Sequence, residues 1–221
     1  MSLFVLVPGA GGAAWYWHRV AAELRSRGHE VTALDLPADD ESVGLPEYRD
    51  AIVDAVGSRT DAVVAAQSMG GFSAPMACAL VPVRQLILVN AMIPVPGETP
   101  GQWWGNTGSE AARVAAAEAG GYSTEIDLAT YFLHDVPAEV VATGEAPRPE
   151  ADIAFGQPCD IKQWPDVETR VLAGRDDRFF PLAFQTRVAR DRLGLPVEVV
   201  PGGHLAALSY PAELTACLER A

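Results

Sequence analysis

The residues of this chain that could do covalent chemistry together are one serine, one histidine and an acid. Ser68 stands in Ala66-Gln67-Ser68-Met69-Gly70-Gly71, at the end of the strand-like stretch Asp61–Gln67 with its Val63, Val64, Ala65 and Ala66. A nucleophile displayed on a sharp strand-to-helix turn needs small neighbours, and the pattern is G-x-S-x-G with alanine in the first glycine position. Taken alone, the same pentapeptide also describes a glycine-rich turn with an incidental serine. His204 closes Pro201-Gly202-Gly203-His204, and the acids stand in Gly174-Arg175-Asp176-Asp177-Arg178-Phe179-Phe180-Pro181. A serine hydroxyl becomes a useful nucleophile when a base takes its proton. Histidine is the side chain suited to that near neutral pH, and a carboxylate orients the imidazole. The three types together suit acyl transfer through a covalent intermediate. Spacing leaves Asp176 and Asp177 both open as the acid, since either could be a turn residue or a partner of Arg175 or Arg178. His18, His29 and His134 have no such setting and read as structural, with His134 in a region that could face a pocket.

These residues need elements to position them. Leu3–Val7 is a continuous apolar run stopped by Pro8-Gly9, the signature of a strand buried on both faces. Helical spacing follows over Trp17–Arg27, ending at Gly28. Strand-like Glu30–Leu36, helical Pro46–Val56, strand-like Asp61–Gln67, helical Gly70–Leu80 and strand-like Arg84–Val89 complete a βαβαβαβ order. That alternation implies a parallel sheet with right-handed crossovers. The pattern breaks over residues 93–165, which are rich in proline, with Ser109–Ala119 and Ile126–Leu133 as the clearest helical stretches. It resumes as strand Thr169–Ala173, helix Leu182–Leu193, strand Val197–Val200 and helix Ala212–Arg220. The expectation is an α/β core of about six strands formed by 1–92 and 166–221, with a helical insertion at 93–165 after the fourth strand. Ser68, the two acids and His204 then all lie at the C-terminal ends of parallel strands, where open α/β sheets collect function.

Composition narrows the partners. The 221 residues are 49% hydrophobic and 20% charged, which is a globular balance. Net charge is −13, from 29 acidic and 16 basic residues, so nucleic acid and anionic membrane surfaces are repelled at long range. Lys162 is the single lysine, which leaves one candidate for lysine chemistry. Cys78, Cys159 and Cys217 are scattered and odd in number, which suits a reducing, cytoplasmic setting. The N-terminal apolar run is too short for a signal peptide, and none approaches the ~20 residues that span a bilayer.

With the order Ser…Asp…His on strand-end loops, the sequence resembles the α/β-hydrolase superfamily. The opening FVLVPGAGGAAWYWHRVAAELRSRGHEVTALDLPA looks most like the small methylesterase and hydroxynitrile-lyase group. The resemblance is strong over 3–92 and 168–214. It implies an α/β-hydrolase fold, a helical cap, no metal and no organic cofactor. The family places its acid fourth in G-x-x-D-x-x-x-P, which here is Asp177. The resemblance further implies an oxyanion hole from the backbone N–H groups of Ala10 and Met69. Pro8 stands where the family typically has histidine, so the loop holding Ala10 needs a different brace. The cap is locally aromatic, and Trp103, Trp104 and Phe132 are the candidate pocket residues for an apolar or aromatic ester. Each could equally pack the cap onto the core. Hydroxynitrile lyases of this group carry threonine and lysine where this chain has Gly9 and Leu205.

The implied function is hydrolysis of a small carboxylic ester through an acyl-Ser68 intermediate. A second reading keeps the fold for a non-hydrolytic metabolite-binding protein or a cyclase or lyase. A third is a nicotinamide-dependent enzyme, because Gly9-Ala10-Gly11-Gly12-Ala13-Ala14 matches G-x-G-x-x-A and Asp35 ends the second strand. That reading leaves Ser68, Asp177 and His204 unexplained, and Lys162 has no tyrosine four residues before it.

Overall fold

The computed structural model describes residues 1–144 and 148–220. Six strands form one all-parallel sheet in the order β2-β1-β3-β4-β5-β6. They are β1 (Leu3–Val7), β2 (Glu30–Ala33), β3 (Val63–Gln67), β4 (Gln85–Val89), β5 (Glu168–Gly174) and β6 (Val197–Val200). The helices between the first four strands are α1 (His18–Ser26), α2 (Leu45–Val56) and α3 (Gly70–Cys78). Among the described residues, five helices stand between β4 and β5: α4 (Pro100–Thr107), α5 (Ser109–Gly120), α6 (Leu128–Tyr131), α7 (Ala138–Val141) and α8 (Asp152–Gly156). The chain ends with α9 (Leu182–Leu193), α10 (Ala206–Ser209) and α11 (Pro211–Leu218). No helix among the described residues is long and apolar enough to cross a membrane.

β1, β3 and β4 are buried at every residue, as their unbroken apolar runs require. Alternate residues of one strand serve opposite faces. Val5, Val64, Ala66, Leu86 and Leu88 pack toward α2, α3 and α9. Phe4, Leu6, Val63, Ala65 and Ile87 pack toward α1 and α11. Each fully buried side chain of this kind contributes roughly 1.5–3 kcal/mol relative to exposure. The rigid sheet therefore presents the ends of β1, β3, β5 and β6 in fixed register.

Boundaries moved in the places where side chains compete with the backbone. The anticipated helix Ile126–Leu133 shrinks to α6, because Asp127 accepts the Thr130 N–H at 2.7 Å and starts the helix there. The strand expected over Glu30–Leu36 ends at Ala33. α4 was not anticipated, although Thr99-Pro100-Gly101-Gln102 is a capping box with proline at the first helical position. Residues 145–147 of the 93–165 insertion, and residue 221 of the core, lie outside the described residues.

Candidate active site

β3 delivers Ser68 into a turn with φ +51°, a left-handed conformation that side chains rarely take. Backbone crowding holds the turn. A Cβ on Gly70 would stand 2.6 Å from the Pro8 carbonyl oxygen, and one on Gly71 would collide with the Met92 carbonyl. A Cβ on Gly9 would come within 2.8 Å of the Ser68 Cβ. Only glycine at these three positions lets the chain pass so close to the serine. Ala66, standing where the pattern has glycine, is fully buried in β3 and fits.

Ser68 Oγ lies 3.1 Å from His204 Nε2, and His204 Nδ1 lies 2.9 Å from Asp177 Oδ2. Asp177 is 4% exposed. Its carboxylate also accepts the Phe179 and Phe180 N–H groups, each at 2.8 Å, and Gln185 Nε2 at 3.2 Å. Those donors fix the carboxylate and satisfy its buried charge. Asp176, the alternative acid, is exposed and contributes its backbone N–H to the Gly202 carbonyl. The imidazole of His204 is met edge-on by Phe132, Phe179 and Phe180, with centroids 5.1–5.4 Å away. Cys78 and Cys159 stand apart from this chemistry, since burial pushes both thiols up to about 12.

Asn90 ties the strand ends together. It too has positive φ, +48°, and it is fully buried. Its Nδ2 donates to the Gly203 and His204 carbonyls at 3.0 Å, and its Oδ1 accepts the Gly174 N–H at 2.6 Å. One amide thus links β4 to β5 and to the His204 loop. Asp135, from the segment between α6 and α7, accepts the Gly203 N–H at 2.6 Å from the other side.

The loop carrying Ala10 is braced by an acid that sequence reasoning missed. Glu150 accepts the Gly11 N–H at 2.8 Å and the Tyr48 hydroxyl at 2.7 Å. Burial raises the Glu150 carboxyl above its ordinary range, while these two hydrogen bonds pull it back. Burial and the facing Glu150 push the Tyr48 hydroxyl up, so it remains a donor. The brace occupies the role left open by Pro8, and its only signal in the sequence was an acid in an unpatterned stretch. Among the described residues, neither the Ala10 nor the Met69 N–H has an intramolecular acceptor.

Both of these residues, with Ser68 and His204, line a cavity of about 280 Å³. Trp104 and Phe132 line it as expected, joined by Phe179, which was not among the candidates. Trp103 does not reach it. Its ring is fully buried beneath, donates to the Ile93 carbonyl and packs on Phe180 and Phe184. Adjacent residues on a helix point about 100° apart, so one of the pair faces the cavity and the other the core.

The first glycine cluster is committed to protein contacts. A Cβ on Gly11 would meet the Arg148 carbonyl at 2.6 Å, and Asp35 accepts the Ala14 N–H and pairs with Arg148. These contacts occupy Gly11, Ala14 and Asp35 of the dinucleotide-binding pattern.

The family model described as "Alpha/beta hydrolase family" matches residues 4–216. A probable esterase, PIR7A, of Oryza sativa subsp. indica is 37% identical over 110 residues, covering 44% of this chain and 42% of that protein. Methylesterase 7 of Arabidopsis thaliana is 38% identical over 104 residues, covering 41% and 40%. The matched segments therefore span less than half the length of these curated relatives. Among solved structures, polyneuridine aldehyde esterase superposes with a TM-score of 0.81 at 20% identity, over 99% of this chain and 98% of that one. A pyrethroid hydrolase from Sphingobium faniae JZ-2 superposes with a TM-score of 0.75 at 20% identity, covering 98% and 95%. At that identity the superpositions establish the fold.

Proposed function

The chain belongs to the alpha/beta hydrolase family, and from that membership together with the site's geometry we propose that it hydrolyses a small carboxylic ester. The observation that carries the reading is the unbroken hydrogen-bonded line from buried Asp177 through His204 to Ser68, ending on a strained turn in an apolar cavity. The esterase names of the relatives support it.

In this reading Ser68 Oγ attacks the ester carbonyl carbon while His204 Nε2 takes its proton. The tetrahedral oxyanion is received by the Ala10 and Met69 N–H groups, donors that cost no reorganisation at that moment. The carbon–oxygen bond to the alcohol breaks, and His204 returns its proton to the departing oxygen. Water then attacks acyl-Ser68 with His204 again as base, and the acid leaves. Asp177 holds the imidazole with Nδ1 protonated and Nε2 free to accept. Residues 93–165 act as a cap that closes the apolar cavity over the acyl group.

The test is a p-nitrophenyl ester series of rising chain length, run on the wild-type protein and on Ser68→Ala. Turnover by the wild type that falls by at least about 10⁴-fold in the variant is expected. Absence of turnover in the wild type, with no labelling of Ser68 by a serine-reactive phosphonate, would overturn the reading.

A further inference from the structure

Beyond the Ser68 cavity lies a second chamber of about 380 Å³. The two share a wall made by Trp104, Phe132 and Phe179. Ile126 continues the apolar lining on the far side, and Arg113 of α5 contributes the positive charge. Arg113 is only 7% exposed, and no carboxylate lies within ion-pair distance of it among the described residues. Its Nη1 donates to the Thr124 carbonyl at 2.5 Å and to the Tyr131 hydroxyl at 3.0 Å, and its plane lies over the Tyr131 ring.

Those bonds use one nitrogen and leave the other edge of the fork. Among the described residues, Nε and Nη2 have no acceptor, and neither is a sealed, unsatisfied atom. The same edge grips a carboxylate elsewhere in the chain. Arg170 Nε and Nη2 reach the two oxygens of Glu198 at 2.7 and 2.8 Å. Arg59 Nε and Nη2 reach the two oxygens of Asp61 at 2.8 and 2.9 Å. A nearly buried guanidinium with this edge unoccupied, on a residue that lines a chamber sharing a wall with the Ser68 cavity, is suited to a planar anion.

We propose that Arg113 forms a distal subsite that receives a carboxylate carried at the far end of the ester substrate. The substrate class is an ester with an apolar body and a terminal acid. The body passes the Trp104–Phe132–Phe179 wall, while the scissile carbonyl sits at Ser68. The net charge of −13 repels anions at long range, so a local cation is what makes such a tail acceptable. Glu110, also on the chamber wall, is exposed and its charge is solvated. This assignment rests on the esterase reading for the identity of the ligand as an ester, but its binding test does not require turnover.

The experiment uses Ser68→Ala protein and calorimetric titration with matched pairs, the monomethyl and dimethyl esters of linear diacids from succinate to dodecanedioate. Free molecules can enter in either direction, so the orientation of the ester does not matter. At the chain length that spans both chambers, the half-ester with its free acid should bind about tenfold tighter than the diester. Arg113→Gln, in the same background, should bring that ratio close to one, and Arg113→Lys should keep part of it. Equal or weaker binding of the free acid at every length overturns the subsite. The comparison of half-ester with diester on Ser68→Ala protein that keeps Arg113 decides even if Arg113→Gln loosens the Thr124–Tyr131 packing. Turnover of the same esters by protein with Ser68 intact reports separately on the esterase reading.

Discussion

The turn that carries Ser68 and the loop that carries Ala10 face each other across one cavity, yet they are held by different parts of the chain. The Ser68 turn is built by the sheet, with β3 feeding it and the Pro8 and Met92 carbonyls wedging it against Gly70 and Gly71. Asp177 is held in the same way, by backbone N–H groups, and the His204 loop by Asn90 at the end of β4, with Asp135 of the insertion adding one bond at Gly203. The Ala10 loop is steadied from outside the sheet, by Glu150 from the segment leading into α8. A site of this design has a rigid reacting centre and a donor loop coupled to the insertion. Changes to the first region should act on chemistry outright, and changes to the second should grade it.

The sharpest way to break that contrast is at the acid. Asp177→Asn keeps the shape but presents the imidazole with the wrong partner, and such a change costs about 10⁴-fold in kcat. Asp176→Asn, one residue away on the exposed side of the loop, should stay within about twofold of wild type, as surface substitutions usually do. Steady-state kinetics on the two variants side by side checks both. Comparable losses would mean that the loop, and not the Asp177 carboxylate, supplies the effect.

The same contrast explains what was legible in the sequence. Sheet strands announce themselves because burial on both faces forces unbroken apolar runs, and crossover order then fixes where strand-end loops fall. The placement of Ser68 and His204 at strand ends was readable for that reason. Choosing Asp177 over Asp176 drew on the family's acid spacing, and the buried carboxylate then faces the imidazole. Asn90 was not singled out, because a single buried amide after a strand has no periodic signature. Glu150 and Asp135 were missed because they act across 139 and 68 residues of sequence onto backbone N–H groups, which carry no side-chain label. Trp103 and Trp104 looked alike as letters, and helix rotation alone separates the cavity wall from the core.

Glu150→Gln probes the braced loop, and its effect should be graded. The amide can still accept from Gly11, but a neutral acceptor holds an N–H less firmly than a carboxylate. A fall in kcat/KM of about tenfold is expected, carried by kcat because the cavity wall is unchanged. Stability should move the other way. The carboxyl is raised in the folded protein, so the folded state binds that proton more tightly than the unfolded chain does. Stability from this group therefore falls as pH rises from the ordinary carboxylate value through the raised one. Glutamine removes that loss. Urea unfolding at neutral pH should show the variant at least as stable as wild type, with a flatter pH dependence above the ordinary carboxylate range. An inactive and destabilised variant would mean that Glu150 holds up the fold and does not merely tune the loop.

The smallest effect expected returns to the rigid region and concerns strain. Ser68 holds φ +51° because its neighbours leave no other path for the backbone. A non-glycine residue in that conformation costs roughly 1–2 kcal/mol, whatever its side chain does. Ser68→Ala keeps the Cβ and should keep the cost. Ser68→Gly removes it, less the entropy that glycine adds to the unfolded chain, for a net gain of about 1 kcal/mol over Ser68→Ala. Both variants lack the nucleophile, so urea midpoints compare the turn alone. A glycine variant no more stable than the alanine variant would place the turn's geometry in the chain's intrinsic preference and not in the packing of Gly9, Gly70 and Gly71 around it. The gain, if measured, is the stability that the protein forgoes to aim one hydroxyl at His204.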